Sequence, residues 1–158
     1  MGLILSILVI ISAVTGVLLG WKKQIDLLQP PTQQGQNSAF ENYASVDLMM
    51  SAAVSAVDSL DLNLNNLDRL EYRPKKGIAK AIFDEGNWEV QLDATTLTVL
   101  SVAKRNSDWI ERLHDGSIIS EGFKLTTMNI LGFGLLFLVL SGLWLWYGPR
   151  KIKFSKLR

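Results

Sequence analysis

One imidazole, no thiol and scattered carboxylates bound the chemistry open to this chain. His114, within Leu113-His114-Asp115-Gly116, is the only histidine, and there is no cysteine. A Ser–His or Cys–His nucleophile is therefore nearly excluded within a single chain. One histidine among scattered carboxylates also lacks the ligand spacing of a metal site. His114 could still serve as an axial haem ligand at a membrane face. A bis-histidine haem would then need its second ligand from another copy or another protein. The plainer reading is preferred: His114 packs or hydrogen-bonds between a domain and lipid headgroups. Asp84, Glu85 and Asp93 fall in expected turns, where solvation accounts for them, and nothing places them in a pocket for acid–base work. The sequence thus predicts no catalytic residue, no metal and no cofactor, with haem b at His114 as the alternative.

The elements around these residues are set by two uncharged apolar runs. Leu3 to Trp21 and Leu125 to Tyr147 contain no Asp, Glu, Lys, Arg or His. At about 1.5 Å per residue, each is long enough for a hydrocarbon core of roughly 30 Å. With no water available there to satisfy a strand edge, both are predicted as helices. The first run has no basic segment before it and no small-x-small site after it, so it reads as a retained helix rather than a cleaved signal.

Charge orients the pair. Arg150, Lys151, Lys153, Lys156 and Arg158 give the tail a charge of +5. Lys22 to Lys124 holds all 15 acids and carries a net charge of −4. A short basic tail beside a membrane helix marks the cytoplasmic side. Lys22 and Lys23 argue mildly the other way, but they flank a long translocated segment, where positive charge weighs less. Both termini are expected in the cytoplasm and the middle segment outside it. The overall charge of +1 gives no case for nucleic acid.

Between the helices, Gln24 to Asn42 contains Pro30-Pro31 and a Gln/Asn/Gly/Ser run, which predicts an extended, solvated linker. Ser45 can cap the next helix, with Asp47 in its first turn. Val46, Met50, Ala53, Val57 and Leu60 then form an apolar stripe about four turns long, opposite Asp47, Ser51, Ser55 and Asp58. Leu67 to Arg73 alternates as a strand, with Leu70 and Tyr72 on one face. Pro74 to Gly77 is a turn, Ile78 to Phe83 a second strand and Asp84 to Asn87 a hairpin loop. Trp88, Val90 and Leu92 alternate with Glu89 and Gln91 in a half-buried third strand. Asp93 to Thr96 turns the chain into a fourth strand at Leu97 to Val102. One helix on one face of an antiparallel sheet is an α+β layer domain. Trp109, Ile110, Leu113 and Ile118 suggest a short interfacial helix before the second span.

Three stretches together resemble the PepSY-associated transmembrane family. They are TGVLLGWKKQIDLLQPP (Thr15 to Pro31), NWEVQLDATTLTVLSV (Asn87 to Val102), and DWIERLHDGSII (Asp108 to Ile119) leading to LSGLWLWYGPRK. The resemblance covers nearly the whole chain through the order and spacing of individually loose motifs. It implies an extracytoplasmic PepSY unit of one helix on an antiparallel sheet. Two departures stand out. The family's first helix usually follows a basic stretch with a His-Arg pair, whereas this sequence opens at Met1-Gly2 inside the apolar run. The hairpin usually has glycine after its Asp-x-x-Thr turn, where Leu97 stands here; either the turn type changes or a threonine takes the strained position. PepSY modules occur in protease propeptides and were proposed to inhibit peptidases. Larger multi-span relatives include haem-bearing reductases of siderophore-bound iron.

The expected organisation is a first transmembrane helix over residues 1–23, a linker over 24–42, a PepSY-like domain over 43–104, an interfacial segment over 105–124, a second transmembrane helix over 125–147 and a basic tail over 148–158. Ser12, Gly16 and Gly20 lie four apart on the first helix and form a small-residue stripe. It would serve either a partner subunit or second copy, or this chain's own second helix, which carries Gly134, Ser141 and Gly142. Trp21, Trp144, Trp146 and Tyr147 read as interfacial anchors to the bilayer, and the tail as a contact for anionic lipid. The functional expectation is a non-enzymatic accessory subunit in the bacterial inner (cytoplasmic) membrane. It would dock by its helices onto a larger complex or a second copy, and its periplasmic domain would cover or steady one face. A haem-containing or iron-reductase component and a peptidase-inhibitor-like module are the alternatives.

Overall fold

A computed structural model gives the backbone of residues 2–155 and the side chains of residues 2–147 apart from Ile4. The chain divides into two compact units, Leu18–Ile110 and the pair Met1–Val17 with Glu111–Arg158.

Helix α1 (Gly2–Gly20) ends at the start of the Leu18–Ile110 unit, which holds α2 (Val46–Ala56) and a four-stranded sheet. The strands β1 (Leu67–Arg73), β2 (Ile78–Phe83), β3 (Trp88–Asp93) and β4 (Val99–Lys104) pair antiparallel in the order β1-β2-β3-β4. The predicted α+β layer is present. Ala79, Ala81, Phe83, Val90 and Leu92 form one face of the sheet, and Met49, Ala53 and Val57 pack on it from α2. Short alanines in β2 leave room for the helix backbone to approach, while Phe83 fills the end of the layer.

The buried stripe of α2 is rotated from the predicted one. Met49, Ala53 and Val57 are fully buried, whereas Val46 and Leu60 are 47% and 38% exposed. The helix is three turns rather than four. It stops at Ala56, and Asp58–Leu60 winds into a tighter 3-10 turn that swings Leu60 outward. Ser45 does occupy the N-cap in extended conformation but makes no side-chain cap hydrogen bond. The entry to the helix is fixed instead by Ala44 N–H donating to Ala94 O at 2.8 Å.

Two readings of the sheet need correction. β3 is buried on both faces: Glu89, Gln91 and Asp93 are as inaccessible as Val90 and Leu92. The cause is the segment after α1, which is not a solvated linker. Gln33 N–H donates to Gln91 Oε1 at 2.8 Å, Gln91 Nε2 to Pro31 O at 3.0 Å, and Gln36 N–H to Asp93 Oδ2 at 2.6 Å. A run of Pro and Gln/Asn residues thus closes over the polar face of the sheet, using backbone groups that form no strand of their own. β4 begins at Val99, two residues later than predicted, because Leu97 itself takes the left-handed conformation at φ 62°. Neither threonine carries that strain. Leu97 tolerates it while packing against the core.

The second unit is helical. α3 (Asn106–Asp115) ends in it, and α4 (Glu121–Ser155) begins four residues before the predicted span and continues beyond it. Ser120 Oγ accepts from Phe123 N–H at 3.1 Å at the start of α4. Asp115 Oδ2 meets Lys124 Nζ at 3.0 Å, tying the end of α3 to the first turn of α4. α1 and α4 approach at Gly134, where a Cβ would lie 2.9 Å from Leu5 Cδ1. The tail side chains, including Arg150, Lys151, Lys153, Lys156 and Arg158, lie outside the described residues, as does Met1.

Candidate functional site

The polar face of the sheet gathers a cluster of charged side chains within the Leu18–Ile110 unit. Register places Glu71 beside Lys80 and Lys80 beside Gln91, and puts Ile82 beside Glu89. Glu89 sits at the centre. Its Oε1 accepts from Lys80 Nζ at 2.8 Å and from Gln91 Nε2 at 2.7 Å, and its Oε2 accepts from Arg105 Nη1 at 2.8 Å. Arg105 Nε also donates to Asp108 Oδ1 at 3.0 Å. At the sheet edge, Arg69 and Arg73 both bond Glu71, at 3.1 and 2.7 Å. Burial pushes the Glu71 carboxyl up, but the Arg69 hydrogen bond and the charges of Arg73 and Arg105 outweigh it and hold the group below the usual carboxylate range.

Asp93 is a structural acceptor, not a solvated turn residue. Its Oδ1 takes the N–H groups of Thr95 and Thr96 at 2.8 and 2.9 Å, and its Oδ2 takes that of Gln36. Burial raises this carboxyl, yet the backbone donors of Gln36, Thr96 and Thr95 prevail and lower it. A depressed folded value contributes stability that is fully present above the unfolded value of about 3.9 and is lost as pH falls through the folded value. Asp93→Asn should therefore cost about 1–2 kcal/mol at neutral pH, where hydrogen bonds to a charged group are lost. The gap to the parent should close on acidification. Unfolding followed by circular dichroism from pH 7 to about pH 2 measures both terms; a gap that stays constant with pH would show that the charge of Asp93 contributes nothing.

The other candidates lie in the helical unit, apart from Gly20 and Trp21, which belong to the Leu18–Ile110 unit. His114 Nδ1 is 2.9 Å from Thr15 Oγ1, and Thr15 Oγ1 is 2.6 Å from Ile11 O. A threonine hydroxyl that gives its hydrogen to that carbonyl can only accept from His114, in the tautomer that carries the proton on Nδ1. A neutral imidazole held this way carries its lone pair on Nε2. A Cβ on Gly16 would stand 3.4 Å from His114 Cε1, so one member of the small-residue stripe faces this chain's own histidine. Among the described residues, Gly20, by contrast, has nothing within 4 Å in the direction of a Cβ, and nor does Gly142. Ser12 is half-buried; its carbonyl lies 3.3 Å from Thr15 Oγ1. Trp21 follows α1 and is exposed, as are Trp144, Trp146 and Tyr147 near the end of the apolar part of α4.

Among the described residues, one helix segment is long and apolar enough to cross a membrane: Glu121–Tyr147, of mean hydropathy 2.0 in its most apolar window and with 6% of that window buried. Helix α1 runs Gly2–Gly20, and its continuous run of described side chains, Leu5–Gly20, is apolar. No group of three or more His, Asp and Glu among the described residues is placed to hold a metal ion. The family described as the PepSY-associated TM region matches residues 1–158. The chain belongs to that family. A comparison with curated proteins returned no match. This member of the PepSY-associated family is a membrane-associated protein whose α+β unit carries a four-stranded antiparallel sheet.

Sequence reasoning missed the Glu89 cluster and Thr15. The signal for the first was β2 itself. Ile78-Ala79-Lys80-Ala81-Ile82-Phe83 is apolar on both alternations around one lysine, the pattern of a strand covered on both sides. Nothing local marked Thr15, because its partner is 99 residues away.

Proposed function

We propose that this protein is a non-enzymatic accessory subunit of a larger bacterial inner-membrane complex, or a homodimer formed through the same helices. In this reading α1 and α4 both span the bilayer, with both termini cytoplasmic and the PepSY unit periplasmic, covering or steadying one face of its partner. Residues 1–23 and 125–147 are the spans, 24–42 and 105–124 connect them to the domain over 43–104, and 148–158 is the basic tail. Trp21, Trp144, Trp146 and Tyr147 anchor the helices at the interfaces.

The observation that carries the reading is the lateral surface of α4. Phe133, Phe137, Val139, Leu140 and Leu145 are all more than half exposed. Such a surface needs lipid or another helix. Lipid gives no hydrophobic drive for helix association, so docking would rely on close packing along small residues. Gly20, Gly132 and Gly142, which face no neighbour among the described residues, are open positions for it.

The test is affinity purification of the tagged full-length chain from native membranes, compared with Gly20→Leu and Gly142→Leu. A stoichiometric membrane partner, or a second copy, that is lost in either variant is the expected result. A monomer with no co-purifying protein would overturn the proposal.

The haem reading keeps one specific support, the 2.9 Å contact of His114 Nδ1 with Thr15 Oγ1, which in the Nδ1–H tautomer leaves Nε2 free to ligate. A metal-ligating imidazole is commonly held by such a bond from its other nitrogen. The chain supplies one axial position of this kind, so a bis-histidine haem would require another chain's histidine; when bound, haem would supply one-electron transfer. Purified material is expected to show no Soret band. A band that disappears in His114→Ala would replace the accessory-subunit reading with this one.

A further inference from the structure

The polar face of the sheet opens at one end into a groove that the Glu89 cluster does not fill. Its volume is about 770 Å³, within the range of about 300–1,000 Å³ typical of small-molecule sites. Five cations line it, Lys23, Arg73, Lys75, Lys76 and Lys80, and no carboxylate does. Two of these charges are already balanced, Arg73 by Glu71 and Lys80 by Glu89. The other three are not. Lys76 Nζ donates to a neutral carbonyl, Thr32 O, at 2.9 Å, while Lys23 and Lys75 have no ion-pair or hydrogen-bond partner among the described residues. Three ammonium groups without a counter-charge around one concavity favour the entry of an anion.

A second observation comes from the same wall. Gln29 lines the groove, and its Oε1 is buried without a hydrogen-bond partner. An acceptor buried without a partner is costly, and that cost is relieved when the amide turns its oxygen into the groove to meet a donor on a ligand. The rings of Pro31 and Tyr72 also line the groove and suit a carbon body. The occupant must therefore combine a multiply charged anion, a hydroxyl or N–H donor and a short carbon frame.

We propose that this groove binds a phosphate ester bearing a hydroxyl group. Lys23, Lys75 and Lys76 hold the phosphate, and the Gln29 amide, turned into the groove, presents Oε1 to the hydroxyl. Two sources offer this chemistry: a soluble ester of the glycerol phosphate type and the headgroup of an anionic phospholipid. The site uses only residues of the Leu18–Ile110 unit, and it stands or falls separately from the accessory-subunit reading.

The experiment uses the full-length chain in nanodiscs of two compositions, phosphatidylcholine alone and phosphatidylcholine with phosphatidylglycerol. Glycerol 3-phosphate is titrated calorimetrically into each, with glycerol as the uncharged control. The variants are Lys23→Ser/Lys75→Ser, whose exposed side chains hold no fold contact, and Gln29→Met. Saturable binding of glycerol 3-phosphate in phosphatidylcholine discs is expected, with no binding of glycerol. The double variant should weaken it by about tenfold or more, since hydrogen bonds to charged groups are worth about 1.5–3 kcal/mol each. Gln29→Met should weaken it less. If phosphatidylglycerol abolishes the titration, the lipid headgroup occupies the groove; if it does not, the soluble ester is the ligand. Absence of binding in phosphatidylcholine discs, or equal affinity in parent and double variant, overturns the proposal. The variants keep the basic tail, so attraction of that tail to lipid cannot imitate the result.

Discussion

Glu89→Ala is expected to lower the unfolding free energy by about 3–5 kcal/mol, because it leaves a buried ammonium and a buried guanidinium without their shared counter-charge. Lys80 and Arg105 are both almost inaccessible to water, and Glu89 receives a donor from each. A small domain holds only about 5–15 kcal/mol in total, so the variant should sit near the edge of folding. The sign of the effect does not imply that the ion cluster stabilises the fold in absolute terms. Desolvating three charges costs about as much as their attraction returns, and well-packed apolar replacements are often neutral or better. Lys80→Met/Glu89→Leu/Arg105→Met should therefore recover most of the loss. Thermal and urea unfolding of the full-length chain in detergent, followed by tryptophan fluorescence, compares the three proteins. A single variant within about 1 kcal/mol of the parent would mean that water reaches the cluster, since only solvation could then replace the missing carboxylate.

The second large effect concerns a crossing of two backbones. Gly77 follows the turn after β1 with φ 64°, and a Cβ there would run into the carbonyl of Asn37. Gly35, on the opposite strand of the crossing, would run into the carbonyl of Gly77 in the same way. Both backbones are also bonded at this point: Gly35 N–H donates to Lys76 O at 2.8 Å and Ala94 N–H to Gly77 O at 2.9 Å. A flexible side chain could move aside, but Gly77 O is held by Ala94 N–H, and the Asn37 carbonyl can yield only by lifting its own segment off the sheet. Gly77→Ala adds left-handed strain to that collision and should cost about 3 kcal/mol or more. Gly35→Ala meets the collision without the strain and should cost less. The predicted readout is local: residues 24–42 should become sensitive to limited proteolysis before the sheet unfolds. Parent-like resistance in Gly77→Ala would show that the segment does not depend on this crossing to stay on the sheet.

Both predictions fall on the part of the fold that the sequence concealed. What the sequence determined by itself was local and periodic. The apolar run of α4, the strand at Leu67–Arg73, the turns at Pro74–Gly77 and Asp84–Asn87, and the short helix before α4 all follow from spacing and turn chemistry within a few residues. The family resemblance rested on the order of such pieces, and the family match extends over residues 1–158. Only the tertiary structure decided what covers the second face of the sheet. Gln33 reaches Gln91 across 58 residues and Gln36 reaches Asp93 across 57, through backbone N–H groups that every non-proline residue possesses and no sequence pattern advertises. The same holds for His114, whose partner Thr15 stands at the far end of the chain. Periodicity reports which side of an element is apolar. It cannot report that a polar side is also buried, because that burial is made by charges and amides satisfying one another after the chain has closed.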